Sequence, residues 1–522
     1  MKQFLIVLGV MLAAFMQVLD MTIVSVAMPH MQGALGATPD QVSWVLTSYL
    51  VASAVFMPLN GYFTDKFGQK KFLLATIFGF VATSALCGLA GNLTTMVLFR
   101  VLQGAFGAAL IPLSQSIMVR LYPAAERGRA MAIWGMGIML GPVLGPTLGG
   151  ILTDLLNWRW TFYINIPIGA LSWFIAWRLA PDTEVRQRDM NWLGFAFMAF
   201  GVGCLQLLFD RGNQEDWFES RFIQFLALFA VVGIFAFIVD SRRAKHPVIR
   251  FEIFRDPNFA KACFFLGIFG LGLFDATILR PLMMEDLMGY TPTDVGLVQG
   301  PSGIASMVAA LATGRLLSRF KPYAIILVGV IFCTVGTYFM VLYSPTTDKW
   351  FLIWPNIVTG LGFGSVFTPL STFAFSTLAP QSAAEAAGAY NFIRTMGSSA
   401  GISLTATVMT QHGQAAWQHL AERVHVFNPN VESYLSGVGL MPTDPMGAAL
   451  IAHELGRQAQ MLAILDGLLL NTWLFAILIP IALFLRPRRA PAPVAAPVPA
   501  SIPASVPASA PARVPATVPA KT

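Results

Sequence analysis

Apolar runs of about 20 residues recur along nearly the whole chain, and no other feature narrows its fold so far. A helix of that length crosses a bilayer, where only helices and closed barrels satisfy their own backbone groups. Fourteen runs are readable, at approximately 4–28, 43–62, 72–91, 95–118, 129–154, 161–180, 192–210, 222–240, 260–283, 294–317, 323–343, 351–374, 387–411 and 462–486. Charged residues make up only 11% of the sequence, against about 25% in soluble domains. The expected fold class is an all-α integral membrane protein with 14 transmembrane helices. The first run has one Lys before it and no small-residue cleavage site after it, so it reads as a retained span.

Charge orients the spans. With the N-terminus inside, 24 of the 33 Lys and Arg fall on inside segments, and six fall outside. Arg100, Arg280 and Arg394 lie within spans. Cytoplasmic loops carry the excess of Lys and Arg, so both termini are expected in the cytoplasm. The net charge of +7 arises from these short clusters and does not point to nucleic acid. Cys87, Cys204, Cys263 and Cys333 all fall inside spans and read as packing residues. The dispersed His residues match no metal site. There is no Walker loop and no catalytic constellation, so neither an enzyme nor direct use of ATP is expected.

The inside loop Gly61-Tyr62-Phe63-Thr64-Asp65-Lys66-Phe67-Gly68-Gln69-Lys70-Lys71 has a decayed copy in Gly314-Arg315-Leu316-Leu317-Ser318-Arg319-Phe320-Lys321. Six spans, two, then six would place the copies in matching positions, a common transporter plan with its site between the halves. The expected units are an N-terminal six-helix half (1–185), two additional central helices (186–250) and a C-terminal six-helix half (251–486). The last includes an outside loop at 412–461. Residues 487–522, rich in Pro and Ala, read as a disordered cytoplasmic tail.

Charges at membrane depth mark functional candidates. Asp20, in the first span, is a candidate proton carrier, because leaving water disfavours the charged form of a carboxylate. The plainer alternative is a polar lock on helix packing. Arg100 keeps its proton, so it is either a counter-charge in proton coupling or an anchor to backbone carbonyls. Asp275 is a candidate second proton or cation site. Arg280, near an outer span end, would snorkel. Asn391 and Arg394 are candidate cavity residues. In the 61–71 loop, Gly61, Asp65, Lys66, Gly68, Lys70 and Lys71 form a candidate gating loop whose glycines allow a tight turn. Gly141, Pro142, Gly145, Pro146, Gly149 and Gly150 put a small residue at every fourth position, expected as a leak-tight seam between the halves.

These residues resemble the major facilitator superfamily, and within it the fourteen-span drug/proton antiporters of the EmrB/QacA type, nearest the EmrB branch. Leu19-Asp20 with Thr22-Ile23-Val24 and Pro29 is similar to that family's entry motif. The 61–71 loop, Arg100 with Gln103-Gly104, the 141–150 run, and Trp158-Arg159-Trp160 leading to Asn165 resemble its later motifs. The resemblance implies two six-helix halves plus two extra helices. It implies a proton-coupled exporter of toxic compounds working by alternating access in a bacterial inner membrane. Its substrates would be amphipathic small molecules, with Gln103, Asn165, Asn391 and Arg394 as candidate substrate or cavity residues. The proton gradient would supply energy, with no cofactor. A periplasmic membrane-fusion adaptor and an outer-membrane channel are the implied partners. The alternatives are a proton symporter importing a metabolite on the same fold, or a non-transporting membrane scaffold or sensor.

Overall fold

The computed structural model describes residues 2–486 apart from 124–125, 184, 186–188, 274, 423, 426–427, 438–439 and 442–443. The tail expected at 487–522 lies outside the described residues. The described residues form α-helices and short helical turns, with no strand. The first half of the chain holds α1 (Lys2–Leu35), α2 (Pro39–Phe56), α3 (Asn60–Phe67), α4 (Gln69–Leu89), α5 (Leu93–Gly107), α6 (Leu110–Leu121), α7 (Arg127–Leu155), α8 (Trp160–Tyr163) and α9 (Asn165–Leu179). Next come α10 (Trp192–Arg211) and α11 (Arg221–Arg243). The remainder holds α12 (Pro257–Leu271), α13 (Asp275–Leu282), α14 (Pro292–Leu316), α15 (Pro322–Met340), α16 (Lys349–Ala374), α17 (Ala383–Ala421), α18 (Pro429–Ser436) and α19 (Pro445–Leu483).

Local signals set these boundaries. Thr38 and Gln41 form a reciprocal capping box at the start of α2, while Asn92 caps α5 and Asp256 caps α12. Gly68 turns the chain between α3 and α4 at φ +80°, a region open to glycine. Among the described residues, eleven helical stretches are long and apolar enough to cross a membrane. Three of the fourteen expected runs do not reach that mark, so the expected count of fourteen spans is not confirmed. The run at 161–180 breaks at Ile164 into α8 and α9, and that at 260–283 breaks between α12 and α13. The run at 387–411 lies in α17, which carries Asn391, Arg394 and several Ser and Thr.

The helices up to α9 pack chiefly on one another, as do those from α12 onward. The two halves meet where α7 runs along α14 and where α6 meets α17. The α10–α11 pair touches both halves. Thr47 on α2 donates to Asp210 at 2.5 Å, and Gln206 donates to Ser399 on α17 at 2.8 Å. The outer face of α11 exposes Phe222, Phe225, Leu228, Phe229, Val232 and Phe235. An apolar surface that continuous belongs in lipid, and the chain is a multi-pass membrane protein.

The outside loop expected at 412–461 is largely helical. α17 runs on to Ala421, α19 starts at Pro445, and α18 lies between them. Each long helix has 39 residues. At 1.5 Å rise per residue that is about 58 Å, nearly twice the roughly 30 Å hydrocarbon core.

Candidate functional site

α1 carries Asp20 past the middle of its length, with its side chain fully buried. Such a carboxylate needs donors, and three converge on it. Arg100 Nη1 on α5 lies 2.6 Å from Oδ2. Gln103 Nε2, one turn further along α5, donates to Oδ1 at 2.9 Å. Asn165 Nδ2, at the first turn of α9, donates to the same oxygen at 2.8 Å and to Ser84 at 3.0 Å. Arg100 is itself buried; it donates through Nε to the Val45 carbonyl at 2.9 Å, and its guanidinium sits 4.3 Å from the centre of the Tyr49 ring. Four spans of one half thus meet at one ion pair. Gln103 and Asn165, candidate substrate or cavity residues, both donate to this centre.

The C-terminal half also joins its first span to a polar residue on a facing helix, here with an arginine on the first span and a neutral amide opposite it. Its first span contributes Arg280, which is 2% exposed and donates to Asn356 on α16 at 2.5 Å. Asn356, Thr359 and Gly360 match the spacing of Arg100, Gln103 and Gly104. Gly104 packs on the backbone of α2, and Gly360 packs on that of α14. The snorkelling expected of Arg280 does not occur, because a neighbouring span supplies its partner. The Asp275 side chain lies outside the described residues.

The 61–71 segment lies on the face where α1 begins. Gly61 lets α3 cross α17, since a Cβ there would lie 2.8 Å from Glu385 Cβ and 3.1 Å from its Cα. Glu385, 3% exposed, takes Arg250 N at 2.6 Å and Arg250 Nη2 at 2.7 Å. The same guanidinium reaches Asp65 at 3.7 Å. Arg250, on the strap after α11, therefore ties a carboxylate of each half together. Arg120 and Arg127 reinforce this face by donating to the carbonyls of Gln381 and Phe375. Lys66 folds back on Tyr62 at 2.9 Å, and Lys70 and Lys71 occupy the first turn of α4.

The glycine stripe of α7 faces α1 of its own half, which corrects the seam expected between the halves. A Cβ at Gly141 would sit 2.7 Å from Val18, and one at Gly149 would sit 3.1 Å from Ile23. Thr22, two residues from Asp20, donates to the Gly141 carbonyl at 3.2 Å. Pro142 is exposed, while Pro146 and Gly150 are half-buried. The reason is periodicity: every fourth residue keeps to one face, so the inter-half contacts fall on another. There, Thr147 meets Gly296, and Ala132 meets Gly314.

Between α6 and α7 of one half and α16 and α17 of the other lies a cavity of about 50 Å³. It is lined by Gln115, Trp134, Tyr390, Asn391 and Arg394 with apolar neighbours. Asn391 Nδ2 donates across the halves to Gln115 Oε1 at 2.8 Å. Such a space holds a few waters, whereas a drug-sized pocket needs roughly 300–1,000 Å³, so a substrate enters only if the halves part. Glu385, Arg250 and Tyr49 were not legible as site residues in the sequence. The one available signal was Glu385 itself, a lone carboxylate among the small residues Ala383–Gly388 at a span end.

A Major Facilitator Superfamily profile matches residues 10–402. The chain belongs to the Major Facilitator Superfamily. It is 33% identical over 482 residues to the multidrug export protein EmrB of Escherichia coli strain K12, covering 91% of this chain and 94% of the relative. It is also 33% identical over 487 residues to the fatty acid resistance protein FarB of Neisseria gonorrhoeae, covering 92% and 96%. Among solved structures of the superfamily's fold it resembles the human organic anion transporter MFSD10, with TM-score 0.57, 14% identity and coverage of 91% and 99%. At that identity the likeness speaks for the fold alone. The Asp20 centre and the Arg250 tie are therefore features of a Major Facilitator Superfamily transporter, one within a half and the other between halves.

Proposed function

We propose that the protein is a proton-coupled multidrug exporter of a bacterial inner membrane, working by alternating access with both termini in the cytoplasm. The observation that carries this reading is the Asp20 carboxylate, fully buried among Arg100, Gln103 and Asn165. Its similarity to multidrug export proteins supports the direction and the kind of cargo. Protonation of Asp20 removes the charge that Arg100 pairs with, so the pair is bound in one protonation state and released in the other. α1 carries that change to α7 through the glycine stripe, and α7 abuts α14 across the interface. The Asp65–Arg250–Glu385 tie closes the cytoplasmic face in the state described. Opening that face breaks the tie and the Gln115–Asn391 bond. Coupling is then a difference in proton and substrate affinity between two states. The membrane potential adds about 2.3 kcal/mol per elementary charge per 100 mV.

In everted vesicles, an amphipathic fluorescent dye is expected to accumulate on acidification of the lumen and to leak back when a protonophore is added. Accumulation that ignores the protonophore defeats the proton reading; movement in the opposite direction supports an importer.

The projecting α17–α18–α19 element offers a periplasmic surface to a membrane-fusion adaptor and, through it, an outer-membrane channel. Replacing residues 422–444 by a short Gly-Ser linker is expected to lower cellular drug resistance while sparing transport in proteoliposomes. Equal loss in both assays argues against an adaptor role.

A further inference from the structure

Three residues that line the cavity between the halves each hold a buried donor with no hydrogen-bond partner among the described residues: Arg394 Nε, Trp134 Nε1 and the Tyr390 hydroxyl. Trp134 is 8% exposed and Tyr390 3%. Arg394 forms no ion pair and no hydrogen bond among the described residues. No acidic side chain lines this cavity among the described residues. The Asn391 amide, the other strong donor here, is already engaged by Gln115 and the Ala387 carbonyl.

This contrasts with the two fully buried arginines of the spans, Arg100 and Arg280. Arg100 has Asp20, and Arg280 has Asn356. A guanidinium keeps its proton in a protein, and an unpaired charge away from bulk water is costly. Arg394, half-buried at this cavity, has no counter-charge among the described residues. Two uncommitted donors stand beside it. Around them lie Ile111, Met131, Ile138, Met139 and Phe367. The cavity thus has one cationic, donor-rich end and an apolar wall.

We propose that this cavity is the head-group site for anionic amphipaths. A carboxylate or sulfonate pairs with Arg394, accepts from Trp134 and Tyr390, and lays its tail along the apolar wall as the halves part. A charge-assisted bidentate contact is the strongest that a guanidinium makes. Export of such a ligand rests on the transport reading above, whereas its binding does not. The charge count also follows. If n protons enter per cycle, an exported monoanion moves n + 1 charges, against n for a neutral compound.

The test uses purified full-length protein in lipid nanodiscs without any gradient. Tritiated dodecanesulfonate is displaced by unlabelled dodecanesulfonate, dodecanol or dodecyltrimethylammonium, which share a tail and differ in head charge. Wild type is expected to prefer the sulfonate by at least about tenfold. Arg394→Gln is expected to bring the three ligands within about twofold of one another, and Arg394→Lys to keep part of the preference. Equal wild-type affinity for the three, preference for the cation, or an undiminished sulfonate preference in a folded Arg394→Gln overturns the assignment. Should Arg394→Gln not fold, the wild-type ranking decides alone. A wild type that binds the sulfonate selectively yet moves nothing in energised vesicles defeats the export reading and leaves the binding site standing.

Discussion

Asp20→Asn is expected to abolish proton-driven export while the protein still reaches the membrane. Asn is nearly the same size as Asp and still offers an acceptor oxygen to Gln103 or Asn165, but it cannot take up or release a proton. It also leaves Arg100 fully buried without a counter-charge. Removing one partner of a buried pair costs about 3–5 kcal/mol, so the variant is expected to melt well below wild type in detergent. Adding Arg100→Gln neutralises the centre. The double variant should regain much of the lost thermal stability and none of the transport. That pattern separates a proton carrier from a packing lock. Full dye export by Asp20→Asn at wild-type expression would remove Asp20 from the coupling scheme, and recovered export in the double variant would make the pair structural.

Gly61→Val is expected to cut transport by at least about fivefold and to hold the cytoplasmic face open. The side chain would press on Cβ and Cα of Glu385, and backbone cannot turn aside as a flexible side-chain tip can. Overpacking costs about 1–3 kcal/mol, and here it falls only on the state in which α3 crosses α17. Every 1.4 kcal/mol is tenfold in population. A cysteine introduced as Ser382→Cys then reports the change, because the four native cysteines are buried. Its labelling by a membrane-impermeant maleimide from the cytoplasmic face should rise in the Gly61→Val background. Unchanged labelling with wild-type transport would show that the crossing is not a closure point. Arg250→Gln removes the tie between Asp65 and Glu385 without a steric clash, so a milder shift in the same direction is expected.

The pairing of Asp20 with Arg100 illustrates how far sequence reasoning reaches. Each was legible alone, since a charge inside an apolar run is expensive wherever it points. That they meet, 80 residues apart, depends on how α1 packs against α5, and for the same reason no local pattern shows that Gln103 and Asn165 donate to Asp20. The glycine stripe of α7 was legible as a close helix contact, but period alone does not say which neighbour approaches. Glu385 and Arg250 were hidden because each looks like an ordinary loop-end charge until the strap after α11 brings them together.

The apolar runs alone made this a many-span helical membrane protein, and they marked the few residues too polar to sit in lipid unaided. Those are consequences of transfer free energy, and transfer free energy is a property of each stretch taken singly. The packing of the helices set which charges neutralise one another, that the glycines of α7 let α1 approach rather than the other half, and that Arg394 faces a cavity lined by no acid among the described residues. Those are consequences of distance between spans, which no local pattern contains.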